Sequence, residues 1–359
     1  MIPESPIPAS RPAAGTEVSP ASHGFPIRRG VNISHWLSQS KRRGPERAAF
    51  ITEADFERIA SLGYDHIRLP VDEEQLWDEA GRRHEDAFAL MHQGLSWARK
   101  YGLRAVADLH IIRAHHFNHA ERPLWTDPAE QDRFLGLWRD LSAALGDYPL
   151  DFLAYELMNE AVAEDPEDWN RLIARSVAAL REREAERKIV IGSNRWQTAK
   201  TFNVLRVPKN DRHLILSFHF YEPFLLTHYR TAWTPIRDYT GAVDYPGAIT
   251  DADDLANAGT RTREAVAEHT GVFDRNVLEA MLQPPLDLGR RLGLPLYCGE
   301  WGCYPAAPER ARHRWYADVR RILEKHGIAW ANWDYRGGFG IVDRGTGEVH
   351  EDLVKILLG

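Results

Sequence analysis

Two glutamates lie where a barrel enzyme would place its reactive groups. Glu160 closes the apolar run that begins at Tyr155, and Glu300 closes the run that begins at Leu296. Short apolar runs predict buried strands, and barrel enzymes carry their chemistry at the carboxyl ends of the strands. Two facing carboxylates there can cleave a glycosidic bond, because one protonates the leaving oxygen and the other attacks or stabilises the sugar cation. The alternative is that each glutamate caps a following helix.

Polar and aromatic residues end most of the other predicted strands. Arg68 interrupts an apolar segment, and a buried arginine needs an anionic partner. Glu300 is the candidate partner, and an unrelated salt bridge within the barrel is the alternative. The other strand-end residues are Asn32, His35 and Trp36 after the first strand, Asp108 and His110 in the third, His219 and Tyr221 in the sixth, and Asn332 and Trp333 in the eighth.

Strand-like segments alternate with helix-like segments from about residue 27 onward. Short runs bounded by turn residues predict eight strands. They are Ile27–Ile33, Tyr64–Val71, Leu103–Leu109, Phe152–Asn159, Lys188–Ser193, His213–His219, Pro295–Glu300 and Ile328–Asp334. Eight such units predict an α/β fold, a (β/α)8 TIM barrel, in a single domain spanning residues 27–359.

Helix boundaries between these strands are also readable. Thr52 is a predicted N-cap, and Gly63 is predicted to end the same helix. Asp165-Pro166 is predicted to open a second helix, since proline suits the first helical position. Gly327 is predicted to end a late helix that begins near Pro308.

Two segments depart from the regular alternation. About 75 residues separate the sixth strand from the seventh, so we predict a long loop insertion at about residues 221–271. A long loop on the catalytic face of a barrel is often functional. Residues 1–26 are rich in Pro, Ala and Ser, and we predict that they form a flexible tail.

Composition limits the possible partners. A net charge of −7 and a pI of about 6.2 argue against a nucleic-acid partner, which favours a basic face. The sequence contains no apolar run of membrane-spanning length and no signal-peptide core. We therefore expect no membrane partner, and either an intracellular protein or a secreted one whose export signal has been removed. We also expect a monomer.

The two cysteines do not suggest a disulfide framework or a metal site. Cys298 and Cys303 both lie beside Glu300, and two cysteines make neither a disulfide scaffold nor a metal motif. A buried, reduced thiol is the expectation for Cys298. A bridge between the two is the alternative.

Together these residues resemble a known family. The chain is similar to glycoside hydrolases of family 5, the cellulase family within the clan of retaining (β/α)8 glycosidases. The resemblance covers Arg29 to the C-terminus and rests on Arg29–Asn32, Ile67–Pro70, Asp108–Ile111, Asn159-Glu160, His219–Tyr221, Glu300–Gly302 and Trp333, in family order. The family commonly has proline after its acid/base glutamate, where this chain has Ala161. That difference affects loop stiffness more than chemistry.

The resemblance implies a role for each site residue. Glu160 would be the acid/base and Glu300 the nucleophile of a double displacement through a covalent glycosyl-enzyme, with about 5–5.5 Å between their carboxyl groups. The implied supporting residues are Arg68, His110, Asn159, His219 and Tyr221. The resemblance implies Trp333 as a substrate-binding residue. Trp36 and Trp196, each near a strand end, are further candidates, as are His35 and His116. No cofactor and no metal are expected.

Electrostatic arguments agree with these roles. Arg68 and the Tyr221 hydroxyl would keep Glu300 ionised. The ionised Glu300 would raise the pKa of Glu160 and keep it protonated, because two close like charges resist joint ionisation. Asn159 could donate a hydrogen bond to the sugar 2-hydroxyl.

Several alternatives stay open at this point. β-1,4-Glucan is the first choice of substrate, which makes the chain an endoglucanase. β-Mannan, xyloglucan, mixed-linkage glucan and exo-action on short β-glucosides remain possible. His110, His115, His116 and His119 crowd one segment, so a metal-dependent barrel hydrolase is a rival. A non-catalytic carbohydrate-binding protein is a second rival.

Overall fold

Eight parallel strands close into a barrel in the computed structural model, which describes residues 24–359. The strands of the described chain are β1 Arg29–Asn32, β2 His66–Asp72, β3 Arg104–Ile111, β4 Leu153–Glu156, β5 Ile189–Gly192, β6 Leu214–Phe220, β7 Gly247–Ala248, β8 Val272–Phe273, β9 Leu296–Trp301 and β10 Ala329–Asn332. All except β7 and β8 form the barrel, in the order β1-β10-β9-β6-β5-β4-β3-β2. The eight predicted strands and the predicted TIM-barrel fold are confirmed.

Helices connect the barrel strands and cover their outer faces. They are α1 Gly44–Phe50, α2 Glu53–Leu62, α3 Glu73–Leu76, α4 Glu85–Lys100, α5 Pro128–Leu145, α6 Pro166–Arg181, α7 Asn194–Gln197, α8 Phe224–Thr227, α9 Ala252–Asn257, α10 Thr260–Ala267, α11 Arg275–Met281, α12 Gln283–Leu292, α13 Glu309–Lys325 and α14 Glu351–Leu358. Short 3-10 helices occur at Pro123–Trp125 and Ala199–Val204.

The predicted helix boundaries are confirmed where the sequence marked them. The Thr52 N–H donates to the Asp55 carboxylate at 2.8 Å, so the start of α2 is capped. Gly63 ends α2 with φ 102°, a left-handed conformation that glycine adopts without steric cost. The Asp165 side chain accepts from the Glu167 N–H at 2.9 Å and caps α6.

The barrel interior has an apolar floor at the amino-terminal ends of the strands. Six strands contribute one floor residue each, namely Val106, Ala154, Val190, Ile215, Tyr297 and Ala331. Phe25 and Ile27 pack against them, and Phe25 is fully buried. The predicted tail 1–26 is therefore too long at its C-terminal end, because an aromatic side chain there closes the barrel. Residues 1–23 of that prediction lie outside the described residues.

The segment between β6 and β9, which the sequence presented as a long loop, contains regular structure. Residues 221–274, here called the β6–β9 segment, include α8, α9, α10 and the antiparallel pair β7–β8. The Tyr245 hydroxyl donates to Asp318 of α13 at 3.0 Å. The Trp315 indole N–H donates to the Glu222 carbonyl at 2.8 Å. These contacts fasten the segment to the barrel beside the carboxyl ends of the strands.

Two further expectations concern the described chain. Within residues 24–359, no helix combines the length and the hydropathy needed to cross a membrane. Cys298 and Cys303 are buried free thiols, so the alternative of a bridge between them is wrong. Their sulfurs instead donate to backbone carbonyls, at 3.4 Å to Glu300 and 3.6 Å to Leu226.

Candidate active site

The upper half of the barrel interior is polar, in contrast to its floor. Side chains alternate between the two faces of a strand, so Asp108 follows Val106 into the interior and Glu156 follows Ala154. Arg68 enters from β2, and all three charged side chains are fully buried. Buried charges must be satisfied by one another, since no solvent reaches them.

An irregularity in β9 turns Glu300 into the barrel. Cys298 packs in the outer core, so strict alternation would place Glu300 outside as well. The pairing with β6 shifts at this point, because Phe218 pairs with Cys298 and His219 pairs with Glu300. Gly299 is the extra residue of a bulge, which re-aims the side chain that follows it.

Glu160 reaches the site through an unusual backbone conformation. Its φ is 47°, in the left-handed region, which costs a residue other than glycine about 1–2 kcal/mol. The Glu160 N–H donates to Oε1 of Gln197 at 2.7 Å. Gln197, with Arg195 and Trp196, forms a left-handed turn after β5 in which φ is 52–59°. The Gln197 side chain, presented by this turn, therefore holds the Glu160 backbone in place.

Arg68 contacts polar side chains from several strands of the site. Its guanidinium donates to Glu300 at 2.7 Å and to Glu156 at 2.7 Å, and it lies 3.0 Å from Asp108. It also donates to Oδ1 of Asn159 at 2.9 Å. Burial alone would lower the pKa of Arg68, but the three carboxylates outweigh it and raise that pKa, so the cation persists. The expected contact between Arg68 and Glu300 is present.

The two glutamates differ in how far their pKa values rise. Burial raises the pKa of both carboxyl groups. At Glu160 the nearby charge of Glu300 adds to this effect and lifts the pKa well above its ordinary value. At Glu300 the charge of Arg68 is the main opposing influence, and the Tyr221 hydroxyl, which donates at 2.9 Å, also lowers the pKa. Glu300 therefore ionises first and Glu160 retains its proton.

The two carboxyl groups lie close together. A carboxylate oxygen of Glu160, one of Glu300 and a ring nitrogen of His219 all lie within 4.8 Å of one another. This separation fits attack by one carboxylate, because an inverting pair needs more room for a water molecule. Nδ1 of His219 lies 3.0 Å from Glu160 and 3.7 Å from Glu300. Burial lowers the pKa of His219, so the ring is neutral.

One wall of the site combines a histidine and an indole. The rings of His110 and Trp333 stack in parallel, with centroids 5.6 Å apart. Nδ1 of His110 lies 2.7 Å from Asp108, and Nε2 has no hydrogen-bond partner among residues 24–359. Burial lowers the pKa of His110 to about 3, so the ring is neutral. Nε2 is free to meet a sugar hydroxyl.

An open cleft of about 860 Å³ surrounds the two glutamates. Four of the five predicted substrate-binding residues line it, namely His35, His116, Trp196 and Trp333. Their binding roles stay predictions. Trp196 is 40% exposed, which suits a side chain that offers a flat apolar face to a ligand.

Trp36 lies elsewhere, and its prediction as a substrate-binding residue is wrong. Its side chain is fully buried. The ring stacks on Trp97 with centroids 6.5 Å apart, and the indole N–H donates to the Arg47 carbonyl at 3.0 Å. The side chain packs against Gly94 of α4, where a β-carbon would overlap the ring. The chain after β1 thus directs Trp36 away from the cleft and into the outer core.

A comparison with known families decides the classification. The family model described as cellulase, glycosyl hydrolase family 5, matches residues 21–338. The chain belongs to this family. It is therefore a glycoside hydrolase that retains the configuration of the cleaved bond.

Family 5 relatives match most of the chain. Endoglucanase C of Acetivibrio thermocellus is 31% identical over 334 residues, covering 91% of this chain and 97% of that protein. Cellodextrinase A of Ruminococcus flavefaciens is 28% identical over 306 residues, covering 84% of each. Thermotoga maritima Cel5A, solved in complex with mannotriose, has the same fold, with a TM-score of 0.76 at 24% identity over 92% of this chain and 97% of its own.

Glu156, Gln197 and Trp233 are among the residues of this family 5 site that were not foreseen from the sequence. Glu156 could have been found, since it lies at the end of a buried strand where alternation points inward. Gln197 gave no signal, because its role depends on a turn that the sequence does not mark. Trp233 is 54% exposed at the cleft and packs edge-on against Tyr304, with centroids 5.5 Å apart. A tryptophan in a long segment was its only signal.

The histidine-rich segment does not gather around one point. His110 faces Asp108, and His115 accepts from a backbone N–H at 3.1 Å. His116 and His119 stack on each other with centroids 4.0 Å apart. Within residues 24–359, the group of three side chains that could hold a metal is Glu160, His219 and Glu300. The geometry therefore favours carboxylate chemistry over the rival metal site at the histidines.

Proposed function

We propose that this chain is an endo-acting β-1,4-glucanase with Glu300 as nucleophile and Glu160 as acid/base. In the first step Glu300 attacks the anomeric carbon, and Glu160 gives its proton to the leaving oxygen. In the second step Glu160 takes a proton from the water that releases the sugar. The unequal rise of the two pKa values supports this division, because the proton resides on Glu160 before the reaction starts.

The surrounding residues have consistent roles in this proposal. Arg68 and Tyr221 stabilise the charge on Glu300. Arg68 occupies Oδ1 of Asn159, so the amide nitrogen of Asn159 is left to donate to the sugar 2-hydroxyl. Trp333, held parallel to His110, offers an apolar face to the sugar that is cleaved.

The observation that carries endo-action is the extension of the cleft beyond the glutamates. His35, Gln39 and His116 line it from the side of β1 and β3. Trp196 and Trp233 line it from the turn after β5 and the β6–β9 segment. A polymer that crosses the site can then be cut internally, whereas a closed pocket would hold only a chain end.

The names of the family 5 relatives agree with this substrate class. Two relatives that are 31% identical are named endoglucanases. The relative named a cellodextrinase favours a second candidate, the cleavage of short cello-oligosaccharides. Both candidates use the same carboxylate pair and differ in how much of the cleft the substrate fills.

A polysaccharide panel with product sizing tests the proposal. We expect soluble cellulose derivatives to lose viscosity faster than reducing ends appear. Proton NMR of the first product should show the β anomer. Single-unit release from one end of reduced cellohexaose would instead indicate exo-action. Preference for mannan or xyloglucan over cellulose derivatives would overturn the assignment of the substrate but not of the reaction.

A further inference from the structure

The Gln197 side chain lies between the predicted acid and the Arg68 network. Its Oε1 accepts from the Glu160 N–H at 2.7 Å. Its amide nitrogen donates to Glu156 at 3.1 Å and to Ser217 at 3.3 Å. The side chain is almost fully buried. A buried amide with both ends satisfied is fixed in one orientation, because any rotation leaves a buried polar group unpaired.

The local backbone is built to receive this amide. Gly192 ends β5 directly beneath Gln197, and a β-carbon at position 192 would overlap the amide. Gln197 belongs to the left-handed turn that also contains Trp196, whose N–H donates to the Ala161 carbonyl at 3.2 Å. The turn after β5 thus binds the backbone at two consecutive residues, Glu160 and Ala161.

We propose that Gln197 is a positioning residue for the general acid. It fixes the left-handed backbone of Glu160 and thereby aims the carboxyl group at the leaving oxygen. The proposal deepens the proposed function and rests on the assignment of Glu160 as the acid/base. It does not depend on which β-glycan is the natural substrate.

Contacts of the Glu160 side chain do not by themselves fix the direction of its carboxyl group. Among the described residues, its carboxylate has one hydrogen-bonding neighbour, His219 at 3.0 Å. Glu300, by comparison, is held by Arg68 and Tyr221. The direction of the Glu160 carboxyl therefore follows from its backbone conformation. That conformation is strained, and the hydrogen bond from the Glu160 N–H to Gln197 helps to offset the strain.

Loss of the Gln197 amide should weaken proton donation and spare nucleophilic attack. Gln197→Met keeps the volume over Gly192 and removes both polar atoms. We expect kcat/KM to fall by about 10–100-fold on cello-oligosaccharides, which need a well-placed proton donor. A dinitrophenyl β-glycoside needs little protonation, so its kcat/KM should change less than about threefold. Azide should raise kcat of the variant on that substrate and yield a β-glycosyl azide.

The pH profile provides a second readout. Burial raises the pKa of Glu160, and a less restrained carboxyl group would be better hydrated. Its pKa should then fall, and the basic limb of kcat/KM should move to lower pH because the active form carries the proton. A purely structural loss would leave that limb in place.

Asn194 offers a matched control in the same turn. Its buried amide binds the backbone of Ala163 in both directions at 2.8 Å, three residues beyond Glu160. Asn194→Leu should lower Tm to a similar degree as Gln197→Met. Its ratio of kcat/KM on cello-oligosaccharides to kcat/KM on the dinitrophenyl glycoside should equal that of the wild type. Gly192→Ala, which displaces Gln197 without altering it, should reproduce the Gln197→Met behaviour.

The outcomes separate the possible explanations. Equal losses on both substrates with an unmoved basic limb would make Gln197 a structural residue. A selective loss in Asn194→Leu would overturn the specific role as well. Wild-type turnover of the aryl glycoside tests the glycosidase function by itself, and Glu160→Ala tests the acid. A failure of either is therefore distinguishable from a failure at Gln197.

Discussion

Glu300 lies at the end of a barrel strand, where Arg68 and Tyr221 both donate hydrogen bonds to its carboxylate. Glu160 lies after β4 in a left-handed conformation, and neither donor reaches it. Both carboxyl groups are desolvated, and both pKa values rise. The charge of Arg68 opposes the rise at both groups, but Arg68 and the Tyr221 hydroxyl donate hydrogen bonds to Glu300 only, and at Glu160 the charge of Glu300 adds to the rise.

This contrast separates two chemical tasks within a few ångströms. The Glu300 side stabilises a negative charge, which a nucleophile needs. The Glu160 side stabilises a proton, which a general acid needs. Desolvation is common to both sides, so the pattern of donors and the mutual repulsion of the carboxylates support the proposed roles.

Removal of the proposed nucleophile should give the largest effect. Glu300→Gln keeps the shape of the side chain but cannot form the covalent intermediate, so we expect a loss of kcat on the order of 10⁵-fold or more on every substrate. Initial rates on cello-oligosaccharides and on aryl β-glycosides measure it, with Tm as the control for folding. A loss confined to poor leaving groups would mean that the two glutamates are exchanged.

Removal of the proposed acid should give a smaller loss that depends on the leaving group. For Glu160→Ala we expect kcat/KM to fall by about 10²–10⁴-fold on natural glycans and far less on dinitrophenyl glycosides. Azide should restore turnover and give a β-glycosyl azide, because the small anion needs no general base. Identical behaviour of the Glu160 and Glu300 variants across leaving groups would contradict the comparison.

Removal of one donor on the Glu300 side should shift the pH profile. The Tyr221 hydroxyl lowers the pKa of Glu300, so Tyr221→Phe should raise it. The active form needs Glu300 ionised, and the acid limb should move to higher pH by about one to two units, the equivalent of a hydrogen bond to a charged group. Tyr335 is the control, because its hydroxyl donates to Asp55 at 2.7 Å, away from the cleft. Tyr335→Phe should lower Tm and leave the acid limb of the pH profile unchanged.

Substitution of a residue that lines the cleft should give the smallest effect. Trp196→Ala removes an exposed indole beside the predicted acid, and we expect KM for long cello-oligosaccharides to rise about 2–10-fold, the scale of one aromatic contact. Trp196→Phe keeps an aromatic face and loses the hydrogen bond to the Phe117 carbonyl, so it should retain most of the affinity. An unchanged KM for Trp196→Ala on every chain length would remove Trp196 from the binding residues.

The fold and the meeting of Glu160 and Glu300 in one cleft were predictable because their signals are local. A short apolar run between turn residues predicts a strand without reference to the rest of the molecule, and all eight barrel strands follow this pattern. Caps such as Thr52 and Asp165 are equally local. The predictions that failed depend on the direction in which a side chain points. The side chain of Trp36 points into the outer core, and Phe25 packs under the barrel. A residue's neighbours in sequence do not determine which side of a strand end it faces.

The sequence by itself determined the eight strands, the polar residues at their ends and the presence of two glutamates suited to glycoside cleavage. Only the tertiary structure decided how those glutamates are aimed. Glu300 enters the barrel through a bulge at Gly299, and Glu160 is held in a left-handed turn by the amide of Gln197. Both features arise from pairing between segments that are distant along the chain. Strand alternation and helix periodicity cannot reveal them, because each describes a single segment at a time.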